Sequence, residues 1–150
     1  MPETAASRRI HRHPGEAAAK RLLAECHLPN SDLEPRHFEH FFGCGDKNSP
    51  EGVVGLELHG PVALLRSLAV AEKSRRKGCG RELVAEAERY AWSKGVEEIY
   101  LLTHTAERFF SALGYRRAER ESAPEEIRAT KEFSTLCPSD SVFMVKRRGG

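Results

Sequence analysis

The sequence of 150 residues predicts a mixed α/β (α+β) domain in which helices flank a central sheet. Two apolar strand patterns are followed by one strongly amphipathic helix, and a further apolar strand follows that helix. Strand and helix patterns also alternate over the rest of the chain, which is typical of a sheet with helical connections. A content of 39% hydrophobic and 31% charged residues suits one globular domain, which we place over residues 1–150.

The N-terminal third is predicted to contain one strand and two helices. Residues 9–12 are predicted as a short edge strand, and residues 16–26 carry small and apolar side chains at helical spacing. A second helix is predicted from residue 32 or 33 to residue 41 or 42. Residues 46–52 contain Asp, Asn, Ser, Pro and Gly, so we expect a loop there.

The middle of the chain gives the clearest elements. Residues 53–58 and 62–70 are predicted as two strands of a hairpin. Residues 81–94 place apolar side chains on one helical face, with a glycine directly after them, and predict a helix. Residues 98–103 follow as an apolar strand.

The C-terminal third is predicted to hold two helices and a last strand. A short helix covers residues 106–113, and Ser122-Ala123-Pro124-Glu125 resembles a capping box that opens a helix to about residue 133. Residues 141–146 are predicted as the final strand. If that strand is an exposed edge, it is a candidate for pairing in a homodimer.

Composition and cysteine spacing exclude several classes of protein. A formal net charge of +2 is too small for bulk nucleic-acid binding, so we expect no nucleic-acid partner. No apolar run suits a membrane span or a secretory signal, so no membrane partner is expected. The four cysteines lack a Cys-x-x-Cys pair, which favours reduced thiols and a cytoplasmic location. They are Cys26, Cys44, Cys79 and Cys137.

A basic loop at residues 75–81, Arg-Arg-Lys-Gly-Cys-Gly-Arg, lies between the strand 62–70 and the helix 81–94. This order directs backbone N–H groups and a helix N-terminus at one point, which suits a phosphate. Gly78 and Gly80 have no Cβ and allow close approach of a ligand. A Walker loop is absent, and the third glycine of a Rossmann pattern would fall on Leu83.

The pattern Arg75-x-x-Gly78-x-Gly80, after a strand that ends Leu68-Ala69-Val70, resembles the acyl-CoA pyrophosphate loop of the GNAT N-acetyltransferase superfamily. Residues 106–115, Ala-Glu-Arg-Phe-Phe-Ser-Ala-Leu-Gly-Tyr, resemble the next helix of that superfamily. The resemblance implies a GNAT fold: a mixed, mainly antiparallel sheet with splayed central strands. It also implies acetyl-CoA as co-substrate.

A narrower resemblance involves three segments. Residues 64–70, residues 100–103 and residues 127–133 with Leu136-Cys137-Pro138 look like the arsenic-resistance N-acetyltransferase branch of the superfamily. The name of the branch reflects an association with arsenic-resistance genes and fixes no substrate.

The resemblance implies a donor site built largely from backbone. Backbone groups of Leu68 and Val70 would align the pantetheine arm, and one N–H would polarise the acetyl carbonyl. Amides of residues 76–81 would hold the pyrophosphate. The alternative is a basic surface turn. For Cys79 inside the loop the alternatives are a reactive thiol and a small filler residue, and we favour the filler because chemistry there would block the cofactor. The predicted cofactor-binding residues are Leu68, Ala69, Val70, Arg75, Arg76, Lys77, Gly78, Cys79, Gly80, Arg81 and Phe110.

The implied activity is transfer of an acetyl group from acetyl-CoA to an amine of a small molecule by direct attack. One alternative is an acyl-CoA-binding module with weakened catalysis. Another is a protein-lysine or N-terminal acetyltransferase. The first alternative is motivated by Phe110, which stands where superfamily members often carry a tyrosine general acid, and which has no proton to give.

Candidates for the acid and base are few. Tyr115 or Tyr100 could replace the missing tyrosine, although both also suit packing, and water or direct thiolate release is a further option. Glu57 is our candidate base; because it alternates with two leucines, an outward, solvated glutamate is the alternative. His104, just past a predicted strand, is the second candidate base, against a loop histidine without a role.

Arg66 lies within an apolar strand, and arginine is almost never fully buried without a partner. It either binds a carboxylate or other oxyanion of the substrate, or pairs with Glu57. Arg128 and Cys137 enter only through the narrower resemblance, and we favour a helix-surface arginine and a core cysteine.

A metal site is not predicted. His37, His40 and Cys44 would share one face of a continuous helix, which could make a soft metal site. Gly43 and Gly45 are expected to end that helix first.

Overall fold

The computed structural model describes residues 10–46, 48–136 and 141–149. The chain divides into two compact units. The first comprises the chain up to Leu56 together with Ser67–Tyr90, and the second comprises Glu57–Arg66 together with the chain from Ala91 onwards. The strands Ser49–His59 and Val62–Val70 each contribute residues to both units.

In the described part of the chain, seven strands form one sheet in the order β1-β2-β3-β4-β5-β7-β6. Antiparallel pairs are β1 with β2, β2 with β3, β5 with β7, and β6 with β7, whereas β4 and β5 are parallel. This mixed, mostly antiparallel sheet flanked by helices confirms the predicted fold class. The strands are β1 (Ile10–Arg12), β2 (Phe41–Asp46), β3 (Ser49–His59), β4 (Val62–Val70), β5 (Glu98–Thr103), β6 (Arg116–Arg117) and β7 (Val142–Arg147), and the α-helices are α1 (Glu16–Glu25), α2 (Cys79–Ser93), α3 (Glu107–Ala112) and α4 (Glu125–Arg128).

The parallel strands β4 and β5 pair from Val62 with Glu98 to Leu64 with Tyr100. Both strands continue beyond the last of these pairs, β4 to Val70 and β5 to Thr103. This is the arrangement that the expectation of splayed central strands describes.

The core of the first unit is formed mainly by α1 and the sheet. Ala19, Leu22 and Leu23 of α1 are buried in a cluster with residues such as Phe41 and Val53. Burial of each leucine side chain contributes about 1.5–3 kcal/mol to folding. The buried face of α1 therefore has the helical spacing that the sequence predicted.

The core of the second unit joins its strands to α4. Tyr100 of β5 stacks on Phe143 of β7 with ring centroids 5.3 Å apart. Ile127 of α4 is fully buried in the same cluster as Leu64 and Tyr100. The apolar cluster therefore holds the C-terminal segment against the sheet.

The predicted second helix is wrong over its last part. A 3-10 helix spans Pro35–His40, and β2 begins at Phe41. Phe41 and Phe42 are buried, and β2 pairs on both sides, so tertiary packing and strand pairing outweigh the local helical spacing. The predicted loop 46–52 is also partly wrong because β3 starts at Ser49.

The predicted long helix up to residue 133 is wrong as well. Helix α4 is four residues long, and a π-helix follows over Glu132–Leu136. The capping box is absent, since no side chain caps α4 and the Ser122 hydroxyl donates to the Glu119 carbonyl instead.

The final strand is not an edge. β7 is flanked by β5 and by β6, a two-residue strand that the sequence did not predict. The reasoning that offered this strand for dimer formation is therefore wrong, although a homodimer itself stays a prediction. Arg9 of the predicted first strand lies outside the described residues.

Within residues 10–46, 48–136 and 141–149, no helix is long and apolar enough to cross a membrane. In the same ranges, Cys26, Cys44 and Cys79 are free thiols.

Candidate functional site

The basic loop (residues 75–81) carries the chain from β4 into α2. Its turn includes Arg76 at φ +67° and Gly78 at φ +90°, both in the left-handed region. A Cβ at Gly78 would meet no atom within 4 Å, so the space above this residue is open. Glycine is therefore required by the backbone conformation and not by crowding.

Helix α2 begins directly after this turn and is 15 residues long. The N–H of Glu82 donates to the carbonyl of Gly78 at 3.0 Å, which closes the first helical turn. The N–H groups that precede it in a helix have no acceptor within the helix, and the helix dipole adds partial positive charge there. The arrangement suits an anion such as a phosphate.

Both ends of the basic loop are anchored. The Arg75 Nε donates to the Val70 carbonyl at 3.0 Å, which joins the start of the loop to the end of β4. Cys79 is buried, and its Sγ would lie 2.6 Å from a Cβ at Gly52 of β3. Cys79 is thus a small packing residue, as the sequence analysis favoured. The side chains of Arg76, Lys77 and Arg81 are exposed.

The strand before the loop changes course at Ser67. This buried residue has φ +63°, a conformation that costs a non-glycine residue about 1–2 kcal/mol. Just after it, Ala69 is buried, whereas Leu68 and Val70 are partly exposed. Strain of this kind is common at binding and active sites, and here it directly precedes the predicted pantetheine-binding residues.

A cluster of ionisable side chains lies in the second unit, and we call it the Arg66 cluster (Glu57, His59, Arg66 and Glu132). Arg66 Nη1 donates to Glu57 Oε2 at 2.8 Å, and Nη2 lies 3.5 Å from Glu132 Oε2. Glu57 Oε1 lies 3.5 Å from His59 Nε2. The Arg66 side chain is 0% exposed, and those of Glu57 and Glu132 are 14% and 5% exposed.

This geometry shows one contact that the sequence left open for Arg66, and it excludes one alternative for Glu57. The pairing of Arg66 with Glu57 is confirmed, and the outward, solvated Glu57 is wrong. The roles of Glu57 as base and of Arg66 in substrate binding stay predictions.

Sequence reasoning missed Glu132 and His59. The usable signal was the strand arginine itself, since a fully buried guanidinium with five N–H donors requires more than one acceptor. That signal does not show which of the many glutamates pairs with Arg66.

His104 lies in the exposed bend that follows β5. The adjacent Thr103 hydroxyl accepts the N–H of Ala106 at 2.9 Å, which fixes the bend. A base role for His104 stays a prediction.

Tyr100 and Tyr115, the two candidates for a general acid, are buried, as is Phe110. Phe110 packs edge-on against Tyr115 with ring centroids 5.6 Å apart. The Tyr100 hydroxyl donates to Glu98 Oε1 at 2.8 Å. Burial and this hydrogen bond raise the pKa of Tyr100 to about 12, and the same hydrogen bond lowers the pKa of Glu98. Tyr100 is therefore poorly suited to give up a proton near neutral pH.

The residues weighed for a metal site separate in the structure. His37 Nδ1 accepts the N–H of Glu34, and His40 Nδ1 lies 3.1 Å from the Tyr90 hydroxyl oxygen. Cys44 is in β2 and not on a helix. In the described part of the chain, no three ligating side chains gather as they would for a metal ion. Arg128 is exposed on α4, whereas Cys137 lies outside the described residues.

A mixed sheet with parallel central strands, followed by a glycine turn and a helix start, is the arrangement expected of an acyl-CoA-dependent acetyltransferase. The Acetyltransferase (GNAT) family matches residues 7–115, and the chain belongs to this family. The relative named "Uncharacterized N-acetyltransferase CT2212", from Chlorobaculum tepidum, is 36% identical over 115 residues. The match covers 73% of this chain and 72% of that protein.

Solved structures share the fold. N-acetylglutamate synthase from Neisseria gonorrhoeae, complexed with coenzyme A and L-arginine, has a TM-score of 0.75 at 19% identity. The match covers 93% of this chain but 33% of that one, so this chain spans about a third of the synthase. Rv2747 from Mycobacterium tuberculosis, in complex with CoA and NLQ, has a TM-score of 0.77 at 16% identity, over 93% of this chain and 98% of that one.

At these identities the solved structures establish the fold alone. Membership of the GNAT family confirms the superfamily that the sequence predicted, and acetyl-CoA is the co-substrate of that family. The narrower assignment to the arsenic-resistance branch stays a prediction.

Proposed function

We propose that the protein is an N-acetyltransferase that moves the acetyl group of acetyl-CoA to an amine of a small molecule. The observation that carries the proposal is the basic loop, with Gly78 at φ +90° in open space directly before α2. Family membership makes acetyl-CoA the natural occupant of this loop.

The donor would be held mainly by backbone. Amides of residues 76–81 would bind the pyrophosphate, and the exposed charges of Arg76 and Lys77 would add electrostatic attraction. The partly exposed Leu68 and Val70 would align the pantetheine arm as an added strand does. Phe110 would contribute apolar contact.

The reaction would proceed without a covalent enzyme intermediate. The acceptor ammonium first gives a proton to Glu57, directly or through water, and the neutral nitrogen then attacks the acetyl carbonyl carbon. A backbone N–H near Leu68 stabilises the oxyanion. The C–N bond forms and the C–S bond breaks, and the excess proton on the attacking nitrogen passes, directly or through water, to the CoA thiolate. Glu57 then releases the first proton to solvent. The products are the N-acetylated amine and free CoA.

Two supports favour a small acceptor. Neisseria N-acetylglutamate synthase is seen with CoA and L-arginine, and in another complex with CoA and N-acetyl-glutamate. Both co-ligands of that synthase are small molecules. A protein-lysine or N-terminal acetyltransferase is the rival, and acetylated peptides among the products would establish it.

A donor-binding module with weakened catalysis is the second rival. Phe110 in place of a tyrosine favours it, together with the hydrogen bond that engages Tyr100. Binding of acetyl-CoA without turnover on any amine would establish this rival.

Substitution of Gly78 tests the donor site. Gly78→Val places a branched side chain at φ +90°, so the turn must rearrange, and we expect CoA affinity to fall by about tenfold or more, equal to about 1.4 kcal/mol. Isothermal titration calorimetry with CoA gives the measurement.

Gly95→Val is the matched control. Gly95 has φ +92° and open space around its Cβ position, so backbone strain is similar, but it lies outside the basic loop. Equal loss of CoA affinity in both variants, or no loss in Gly78→Val, would contradict the donor site.

The other expectations enter this proposal unchanged. We propose a single catalytic domain over residues 1–150 and a cytoplasmic location, with Arg66 or His104 contributing on the acceptor side. Kinship with the arsenic-resistance branch is supported by the segments quoted from the sequence. Because the name of the branch fixes no substrate, thiol release from acetyl-CoA across a panel of amines, with and without arsenicals, tests the acceptor and not the kinship.

A further inference from the structure

The Arg66 cluster contains a second carboxylate that charge balance does not require. Glu57 alone supplies one negative charge to Arg66 at 2.8 Å. Glu132, from a distant part of the sequence, brings another carboxylate to 3.5 Å although its side chain is 5% exposed. Burial of a charge costs several kcal/mol unless the geometry repays it. Neutralisation of Arg66 alone therefore does not account for the burial of Glu132.

Local structure fixes the backbone position of Glu132. Glu132 is the first residue of the π-helix, a rare conformation that is frequent at functional sites. The preceding Thr130 is buried, and its hydroxyl donates to the Ile127 carbonyl at 2.7 Å and accepts the N–H of Phe133 at 3.3 Å. These bonds join the end of α4 to the π-helix.

Packing holds the same segment in place. Ile127 is 0% exposed within the apolar cluster of the second unit. Phe133 packs edge-on against Phe143 with ring centroids 5.4 Å apart. Glu132 thus lies between the anchored residues Ile127 and Phe133, so the backbone that carries its carboxylate is held in place.

A guanidinium held at two nitrogens has a fixed orientation. Glu57 engages Nη1 of Arg66 and Glu132 lies against Nη2, so rotation about the long side chain is prevented. The anchored oxygen of Glu57 is Oε2, and its other oxygen, Oε1, faces His59. Glu57 and His59 are also the more exposed members of the cluster, at 14% and 31%, against 5% for Glu132 and 0% for Arg66.

We propose that Glu132 is a positioning residue for acetyl transfer. It fixes the Arg66 guanidinium, Arg66 anchors Glu57 through Oε2, and Glu57 then offers Oε1 to the proton of the acceptor amine. This role rests on the proposed function, with Glu57 as the base.

The test is a kinetic double-mutant cycle on the full chain. Glu132→Gln keeps the volume and removes the charge, and we expect kcat to fall by about 10- to 100-fold, as for a misplaced catalytic group. The KM for acetyl-CoA should change less than about twofold, because the donor loop belongs to the other unit. The assay follows thiol release from acetyl-CoA with amino acids, polyamines and aminoglycosides as acceptors.

The double variant separates positioning from stability. If Glu132 acts through Glu57, Glu57→Gln with Glu132→Gln should be no slower than Glu57→Gln alone. Glu132→Asp keeps the charge, should recover part of kcat, and replaces Glu132→Gln if that variant does not fold. Thermal unfolding corrects each rate for the folded fraction.

Glu126→Gln is the matched control, since Glu126 is exposed on α4 in the same segment. It should leave kcat unchanged. A Glu132→Gln enzyme with wild-type kcat, or losses that multiply in the double variant, would overturn the positioning role alone. Wild-type protein that turns over no amine would overturn the proposed function, and the role of Glu132 with it.

Discussion

The basic loop of the first unit presents backbone groups, whereas the Arg66 cluster of the second unit presents side chains. In the loop, Arg75 is exposed and donates to a carbonyl, and Gly78 is required for its φ. In the cluster, Arg66 is 0% exposed and forms ion pairs with carboxylates from two other elements. The loop is continuous in sequence, and the cluster is assembled from β3, β4 and the π-helix.

The two regions therefore differ in how well they tolerate substitution. A backbone site tolerates exchange of most of its side chains, because N–H groups are common to all residues except proline. A buried charge cluster tolerates little, because loss of one member leaves its partners unsatisfied. Substitutions in the two regions should therefore act on different quantities: ligand affinity in the loop and folding stability in the cluster.

The largest expected effect comes from removal of the buried arginine. Arg66→Met leaves Glu57 and Glu132 buried without their counter-charge, so the free energy of unfolding should fall by about 3–5 kcal/mol. Urea denaturation gives the measurement. Arg66→Lys retains the charge and should lose less, which keeps the comparison measurable if the methionine variant does not fold.

Arg75→Met is its counterpart in the loop. Because Arg75 is exposed, the free energy of unfolding should change by less than about 0.5 kcal/mol, while CoA binding weakens. Equal destabilisation by the two substitutions would break the contrast between the regions.

A smaller effect is expected where α2 meets β3. Gly52→Ala places a Cβ 2.6 Å from Cys79 Sγ and 3.0 Å from Leu83 Cδ1, which should cost about 1–3 kcal/mol of folding free energy. The first turn of α2 must shift, so CoA affinity should fall too. The double variant Gly52→Ala with Cys79→Ala removes the closest contact and should recover part of both. If CoA affinity stays at the wild-type level although stability is lost, the contact of Cys79 with β3 does not determine the conformation of the basic loop.

A smaller loss of stability is expected at Tyr100 of the second unit. Tyr100→Phe removes the hydrogen bond to Glu98 and should cost about 1 kcal/mol near neutral pH. Wild type should lose this advantage as the pH rises from about 10, where an unfolded tyrosine ionises, to about 12, the pKa of folded Tyr100. Between these values the folded state keeps a proton that the unfolded state releases, so rising pH favours unfolding.

The hydrogen bond between Tyr100 and Glu98 also makes the free energy of unfolding depend on pH in the acid range. Because the hydrogen bond from Tyr100 lowers the pKa of Glu98, its contribution is present above the ordinary glutamate value and disappears as the pH falls through the lowered value. Denaturation of both proteins from pH 3 to 11 measures the difference. A difference that does not depend on pH would show that the hydrogen bond contributes little.

Local patterns predicted much of this molecule because they coincide with tertiary demands. The strands 62–70 and 98–103 match β4 and β5 as observed, and the helix predicted at 81–94 matches α2 closely. These segments have uniform apolar patterns, and packing reinforces their local preference. At Phe41 and Phe42 the phenylalanines also fit a helix, and only pairing with two neighbouring strands decides for β2.

The sequence by itself determined the loop, its glycine and the helix that follows, because their geometry depends on neighbours along the chain. It also determined that Arg66 needs a partner, because a guanidinium cannot be buried alone. Only the tertiary structure decided that the partners are Glu57 and Glu132, and that the C-terminal helix breaks into α4 and a π-helix to bring Glu132 there. Contacts between distant segments depend on how the whole chain packs, and no local pattern contains that information.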